Sequence, residues 1–146
     1  MSGATSTELS RTLAGSLVAD AMTSGVISCS PDTPLRMVAR IMAERRVHAV
    51  YVFDYGDEDD ETVELWGLVS DLDVVAAAVD YLDARTAGES AVTPLVVVRS
   101  DDALEHAAAL MAENDASHLA VVDPITDRPV GVLSTLDIAR VVAVGA

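Results

Sequence analysis

The feature that most constrains the fold of this chain is an internal repeat. Residues 35–44, LRMVARIMAE, match residues 104–113, LEHAAALMAE, at a constant offset of 69. In both segments apolar residues recur at i, i+3, i+4 and i+7, which predicts an amphipathic helix. Repetition on this scale indicates one supersecondary unit used twice, so the two halves are predicted to share a fold.

Segments downstream of the helices repeat as well. Residues 48–54, HAVYVFD, mirror residues 118–123, HLAVVD, and both runs are rich in the β-branched residues typical of strands. A second strand in each half ends in GLVSDLD at 67–73 and in GVLSTLD at 131–137, each followed by an apolar helix. Short strands are predicted near 26–28 and 95–98. Each repeat therefore reads strand, helix, strand, hairpin, strand, helix.

This order predicts an α/β (α+β) fold with two pseudo-symmetric β-α-β-β-α repeats. One repeat of about 60 to 70 residues builds only a marginal core, so the two are expected to pack sheet to sheet. The predicted divisions are a flexible Ser/Thr-rich tail at 1–16, a first domain at 17–84 and a second at 85–146. The linker between the repeats is placed near 84–91.

The charge of the chain excludes several classes of partner. The formal net charge is −15, from 24 acidic residues against nine arginines and no lysine. Binding to nucleic acid or to anionic lipid depends on clustered cations, so neither partner is expected. No apolar run reaches the roughly 18 residues needed to cross a bilayer, and no secretory signal is recognised. The single cysteine, Cys29, fits a buried residue in a cytoplasmic protein, with a redox role as the alternative.

No catalytic or metal-binding pattern is found. The acidic stretch at 54–61 lacks the alternating ligand spacing of an EF-hand loop and is interpreted as a solvated hairpin tip. The sequence has neither a P-loop nor the His/Cys spacing of a zinc site. Ser, His and Asp occur in both halves, but nothing in the sequence sets a nucleophile against an oriented base. We therefore predict a protein that is not an enzyme.

The repeated motif carries a family resemblance. Two copies of Gly-h-h-Ser-x-x-Asp (h, apolar), each closing a strand and opening a helix, resemble the signature of CBS domains, named after cystathionine beta-synthase. Residues 30–35 and 43–50 are similar to repeats in the gamma subunit of AMP-activated protein kinase. The resemblance covers about 17–144, which is nearly the whole chain. It implies a tandem CBS pair.

The resemblance implies a ligand containing adenosine in each of two clefts between the repeats: AMP, ADP, ATP or S-adenosylmethionine. The ligand would be regulatory, and no cofactor would be required. By position, Asp73 and Asp137 would accept hydrogen bonds from the ribose hydroxyls, and Ser70 and Ser134 would donate to phosphate. His48, with the adjacent Ala49, and His118 fall at or beside positions that contact phosphate in the family. The implied adenine pocket is lined by Thr23 with Val26 and by Thr93 with Val96.

Each motif also has a purely structural interpretation. Ser-x-x-Asp at a helix start is a capping box, in which the serine and the acid satisfy each other's backbone N–H groups. This role is compatible with ligand binding, because a helix N-terminus still favours an anion. The basic residue frequent before the motif Asp is replaced by Leu72 and Leu136, which reduces phosphate contacts. Since Arg36, Arg40, Arg45 and Arg46 all fall in the first repeat, unequal clefts are predicted, with cations drawn from that repeat.

The predicted function is a non-catalytic sensor or regulatory module that binds an adenosine nucleotide. The resemblance further implies a homodimer formed through helices, and a regulated activity residing in another chain. The alternative is a structural or protein-interaction homodimer whose clefts are degenerate and hold no ligand.

Overall fold

The computed structural model describes residues 13, 15–54, 64–80, 82–91 and 95–145. Within them the chain forms two sheets, one of three strands and one of four. The elements of the first half are α1 (Val18–Ala21), β1 (Thr23–Ser24), β2 (Ser28–Cys29), α2 (Leu35–Arg45), β3 (Ala49–Asp54), β4 (Glu64–Ser70), α3 (Asp71–Asp80), a 3₁₀ turn (Leu82–Ala84) and α4 (Ala87–Ser90). Those of the second half are β5 (Val97–Arg99), α5 (Leu104–Asn114), β6 (His118–Val122), β7 (Pro129–Ser134) and α6 (Thr135–Gly145).

The two halves have the same strand topology. In the first, β2 lies parallel to β3 across the α2 crossover, and β4 returns antiparallel to β3. In the second, β5 lies parallel to β6 across α5, and β7 returns antiparallel to β6. The predicted β-α-β-β-α order is therefore confirmed in both repeats.

The amphipathic helices end in the same way. Arg46 and Asp115 follow α2 and α5 in the left-handed conformation, with φ of 56° and 50°. In each case the backbone N–H of this residue donates to the carbonyl of the methionine four residues earlier, Met42 or Met111. Such a left-handed residue satisfies a carbonyl that the helix end leaves unpaired. These helix ends keep the offset of 69.

The compact units do not coincide with the sequence repeats. One unit comprises 26–95, and the other joins residues up to Gly25 to 96–146. Strand β1 supplies the fourth strand of the second repeat's sheet, with Thr23 opposite Val132 and Ser24 opposite Gly131. A Cβ on Gly131 would lie 2.4 Å from the Thr23 carbonyl oxygen, so this close pairing requires glycine. The domain ranges 17–84 and 85–146 stay a prediction, and in the compact units the segment up to Gly25 belongs with 96–146.

Two segments outside the strand-helix repeats contribute to the compact units. Of the predicted tail, residues 1–12 and 14 lie outside the described part of the chain, whereas Leu13 packs against the core of the second repeat. Ser16 accepts a 2.8 Å hydrogen bond from the Leu104 N–H. In the predicted linker, Ala87 is fully buried in the core of the first repeat.

Each unit has its own apolar core between the sheet and its helices. The core of unit 26–95 is formed by Leu35, Val38, Met42, Val50, Val52, Val69, Ala77 and Ala87. The core of the other unit is formed by Val18, Val98, Leu104, Ala107, Met111, Leu119, Val121 and Leu133. Among the described residues, no helix is long and apolar enough to span a bilayer.

Candidate functional site

The two repeated motifs lie at equivalent strand-to-helix junctions. We call the junction from β4 to α3 the first junction and that from β7 to α6 the second junction. In each, the motif serine is the last residue of the strand and the motif aspartate is the third residue of the helix. Strand pairing therefore fixes the serine, and the first helical turn fixes the aspartate.

A capping box closes the second junction, as predicted. The Ser134 N–H donates to Asp137 Oδ2 at 2.8 Å, and the Asp137 N–H donates to Ser134 Oγ at 3.2 Å. The Asp137 residue is only 7% exposed. Beyond the box, the Arg140 Nη1 lies 3.9 Å from Asp137 Oδ1, one helical turn further along.

The first junction repeats this box with one additional bond. The Ser70 N–H donates to Asp73 Oδ2 at 2.8 Å, and the Asp73 N–H donates to Ser70 Oγ at 3.3 Å. The Ser70 hydroxyl also donates to Asp73 Oδ2, at 3.0 Å. Ser70 is buried and Asp73 is half-buried. Both motifs are thus confirmed as capping boxes.

The capping bonds use only one oxygen of each carboxylate. Asp73 Oδ1 receives no hydrogen bond from the described residues. Within the same residues, Asp137 Oδ1 forms one ion pair, with Arg140. An ionised carboxylate offers about four acceptor positions on its two oxygens. Each box therefore leaves acceptor capacity on the oxygen that does not cap the helix, which is the chemistry needed to hold hydroxyl groups.

The structure corrects the alignment of the two histidines. His118 pairs with Ser134 across the sheet, whereas the residue paired with Ser70 is Ala49, so His118 corresponds to Ala49 and not to His48. His48 corresponds to Ser117, because their carbonyls accept from the Asp71 and Thr135 N–H groups at 2.8 and 3.0 Å. The sequence comparison was displaced by one residue because a histidine follows each helix.

The histidines therefore have different surroundings. The His48 side chain is exposed, and its Nδ1 lies 3.1 Å from Asp71 Oδ2. His118 is half-buried on the sheet, and its Nδ1 lies 2.9 Å from Ser117 Oγ. Both histidines lie at the end of the sheet where their junction lies, but only His118 is part of a strand.

Strand β1 brings Thr23 to the second junction. Thr23 is opposite Val132, and Val132 and Ser134 share one face of β7 because alternate strand residues point the same way. His118 is on this face too, opposite Ser134. Leu119, Val121 and Leu133 point to the other face, into the core. Thr23 thus accompanies Ser134, Asp137 and His118, which belong to the other sequence repeat.

The remaining predicted adenine-contacting residues are less closely matched. Thr93 lies outside the described residues. Val26 is exposed, and Val96 is half-buried. The Val96 carbonyl accepts from the Ala120 N–H at 3.1 Å, as the Ile27 carbonyl accepts from the Tyr51 N–H at 2.9 Å. Val96 therefore corresponds to Ile27, one residue after Val26.

Two charged residues beside the motifs were not singled out from the sequence. Asp71 follows Ser70 directly, and its Oδ1 accepts from the Leu72 N–H at 2.9 Å. Thr135 and Arg140 occupy the positions that Asp71 and Ala76 hold at the first junction. The signal was present in the variable positions of Ser-x-x-Asp and in the following helical turn, where the two copies differ in charge.

None of the four arginines singled out in the first repeat forms an ion pair with Asp71 or Asp73 in the described part of the chain. Arg36 forms a forked ion pair with Asp83, through Nε to Oδ1 and through Nη2 to Oδ2. This pair raises the pKa of the Arg36 guanidinium and lowers that of the Asp83 carboxyl. Arg40, Arg45 and Arg46 are exposed and form no ion pair with a described residue.

Cys29 is half-buried in β2, and burial raises the pKa of its thiol. Elsewhere in the described part of the chain, no three His, Cys, Asp or Glu side chains are grouped so that they could hold a metal ion. The acidic stretch beyond Asp54, at 55–61, lies outside the residues described.

Comparison with known proteins identifies the family. The model of the CBS domain matches residues 18–80 and 89–144. Among solved structures, the CBS domain pair of protein MJ0100, in complex with 5′-methylthioadenosine and S-adenosyl-L-methionine, is 21% identical, with a TM-score of 0.75 over 90% of this chain and 98% of that one.

Two further structures show the same fold. Hypoxic Response Protein I, with two coordinated zinc ions, is 27% identical with a TM-score of 0.62, over 86% of this chain and 98% of that one. A hexameric CBS-CP12 protein from bloom-forming cyanobacteria is 22% identical with a TM-score of 0.71, over 85% of this chain and 69% of that one. No curated protein matches the chain. The duplicated fold, the two boxed junctions and the match over both repeats establish that this chain belongs to the CBS-domain family as a tandem pair.

Proposed function

We propose that this chain is a non-catalytic regulatory module that binds a ligand containing adenosine at its two junctions. The single observation that carries the proposal is that Oδ1 of each motif aspartate takes no part in the capping box. Asp73 and Asp137 are held by four-residue boxes with 2.8 Å bonds, so little conformational entropy remains to be lost on binding. A preorganised acceptor beside a helix N-terminus suits the vicinal hydroxyls of a ribose.

Other residues support the same assignment. At the second junction, Thr23, His118 and Ser134 share one face of the sheet beside Asp137. At the first, Ala49 and Ser70 are paired beside Asp73, with His48 immediately before the strand. The candidate ligands are S-adenosylmethionine and the adenine nucleotides AMP, ADP and ATP. The MJ0100 pair, whose fold this chain shares, holds adenosine compounds, which favours this ligand class.

Isothermal titration calorimetry with adenosine compounds tests the proposal through substitution of the carboxylates. Asp73→Asn and Asp137→Asn each keep one side-chain oxygen that can accept the capping N–H, but they turn the second oxygen into a donor. We expect each variant to lose one binding event with little change in stability. Glu105→Gln is the matched control, because it makes the same change of a carboxylate to an amide at an exposed position of α5 outside both junctions. Unchanged binding in both Asn variants would refute the ribose role.

We further propose that the chain forms a homodimer through its helices. Helix α3 exposes Leu72, Val75 and Val79 by 64%, 62% and 83%, and their spacing places them along one helical stripe. Helix α6 exposes Leu136 and Val144. An uncovered apolar stripe of this kind favours association with a second copy. The regulated activity would reside in another chain that senses the ligand state.

Light scattering coupled to gel filtration tests the dimer. Val75→Arg, on the exposed stripe, should shift the population to monomers, whereas Glu105→Arg, at an exposed position of α5, should not.

A structural homodimer with degenerate sites is the alternative function, and the same apolar stripe supports it. A ligand at 100 times its dissociation constant should add about 2.7 kcal/mol of stability, so a flat thermal-shift response to every adenosine compound would favour the alternative.

A further inference from the structure

A carboxylate already occupies the helix N-terminus at the first junction. Asp71 Oδ1 accepts from the Leu72 N–H at 2.9 Å, and Asp71 Oδ2 lies 3.1 Å from His48 Nδ1. These are two of the groups that a ligand phosphate could use there: a backbone N–H in the first helical turn and the histidine before the strand. The partial positive charge of a helix N-terminus favours an anion, and here the chain supplies its own.

The second junction has no such carboxylate. Thr135 stands in the place of Asp71, as shown by the matching bonds from their N–H groups to Ser117 and His48. The Leu136 N–H, equivalent to that of Leu72, is accepted by no side chain among the described residues. The one cation in α6 is Arg140, whose Nη1 lies 3.9 Å from Asp137 Oδ1. The equivalent residue in α3 is Ala76.

Arginines elsewhere in the first repeat do not offset this difference. Arg36 forms its ion pair with Asp83, which is not one of the junction residues. Arg45, the last residue of α2, and Arg46, which follows it, are exposed and make no ion pair with Asp71 or Asp73. Asp71 is also exposed, but it is hydrogen-bonded at the helix terminus and acts there at contact distance, whereas solvent and salt screen arginines that make no contact with the junction.

We propose, on the basis of the adenosine sites proposed above, that Asp71 is a specificity-determining residue. It acts as a built-in anion that excludes a 5′-phosphate from the first junction. The first junction then prefers adenosine compounds with an uncharged or cationic 5′ substituent, such as a thioether or a sulfonium. The second junction, with Thr135 and Arg140, accepts a nucleoside 5′-monophosphate. The two sites are therefore unequal, as expected from the sequence, but phosphate is assigned to the second repeat.

Exchanging the two residues tests the proposal. Asp71→Thr and Thr135→Asp each give one junction the residue of the other. Glu105→Thr is the control, because it removes one negative charge at an exposed position of α5. Calorimetric titrations use two probes, AMP and 5′-methylthioadenosine. We expect the wild-type chain to bind one AMP. The Thr135→Asp variant should bind AMP at least about tenfold more weakly, and the Asp71→Thr variant should gain a second AMP site. Affinity for 5′-methylthioadenosine should change by less than about threefold in every variant.

The possible failures are distinguishable. If the wild-type chain binds 5′-methylthioadenosine but both exchange variants keep the wild-type affinity and stoichiometry for AMP, the role of Asp71 is refuted and the adenosine sites stand. If the Glu105→Thr control alters AMP binding as much as Asp71→Thr does, the effect is one of net charge and the proposal is refuted. If neither probe binds to the wild-type chain, the proposed function fails and this inference fails with it.

Discussion

The first and second junctions share a backbone and differ in their chemistry. Both place a serine at the end of a strand and an aspartate in the first turn of a helix, with the same 2.8 Å capping bond. Around this shared frame, the first junction has Asp71 and an exposed His48, and the second has Thr135, Arg140 and a half-buried His118. Duplication preserved what forms the junction, while the positions that the box does not need diverged in charge.

The two compact units differ in how they are completed. The second repeat's sheet gains β1 from the N-terminal segment, and this places Thr23 beside Ser134. The first repeat's core gains Ala87 from the segment that links the repeats. The compact units of this chain therefore do not coincide with its sequence repeats.

The largest effects are expected in the two cores. Leu35 and Leu104 are equivalent at the offset of 69, and both are fully buried. Replacing either with alanine leaves a cavity and should lower the free energy of unfolding by about 2 to 5 kcal/mol. Urea denaturation of the two variants shows whether the units are equally dependent on this leucine. Ile125→Ala, at a position that is 90% exposed and outside the proposed dimer stripe, is the control; a Leu104→Ala variant as stable as the control would contradict the assigned core.

The pairing of β1 should be the next most sensitive feature. Gly131→Ala forces a Cβ against the Thr23 carbonyl, so β1 must shift, at a cost of about 1 to 3 kcal/mol. Gly15→Ala is the matched control, because a Cβ there meets nothing within 4 Å. Hydrogen exchange at Gly25, whose N–H donates to the Val130 carbonyl, should accelerate in Gly131→Ala alone. Unchanged protection would show that β1 does not depend on this contact.

Removing a capping serine should have a smaller effect. Ser70→Ala and Ser134→Ala should each lower the free energy of unfolding by about 0.5 to 2 kcal/mol. The loss should be greater for Ser70, because its hydroxyl also donates to Asp73. Chemical denaturation at neutral pH measures both. A greater loss for Ser134 would reverse this comparison of the junctions.

The smallest effect is expected for the Arg36–Asp83 pair, which has no counterpart in the second repeat because Glu105 is equivalent to Arg36. The ion pair lowers the pKa of Asp83, so its contribution is present above the ordinary carboxyl pKa and is lost as the pH falls through the lowered value. Arg36→Gln should therefore reduce the melting temperature slightly at pH 7 and by less at pH 2. An equal reduction at both values would rule out the electrostatic origin.

Local patterns in the sequence predict most of the fold. The helical stripe at Leu35 and Leu104 and the β-branched runs depend on short-range periodicity. The β-α-β-β-α order that they predict is confirmed by the structure. The capping boxes are equally local, since their partners are three residues apart. The addition of β1 to the other repeat's sheet could not be predicted, because it depends on tertiary pairing between Thr23 and Val132, far apart in the chain.

The details of the candidate site were predicted less well for a related reason. The histidine alignment followed residue identity, but strand register is set by backbone pairing, and this places Ala49 opposite Ser70. Arginine count suggested where phosphate would bind, yet the fork between Arg36 and Asp83 commits one of those cations elsewhere. Which charges meet at a junction depends on contacts that composition does not specify.

In the proposed function, Asp73 and Asp137 each use one oxygen to cap a helix and the other to hold a ribose. The most direct test is calorimetric titration of the wild-type chain with adenosine and with 2′,3′-dideoxyadenosine, since the protein is left unaltered. We expect adenosine to bind at two sites, and loss of both ribose hydroxyls to weaken binding about tenfold or more at each site. Equal affinities for the two nucleosides would contradict it.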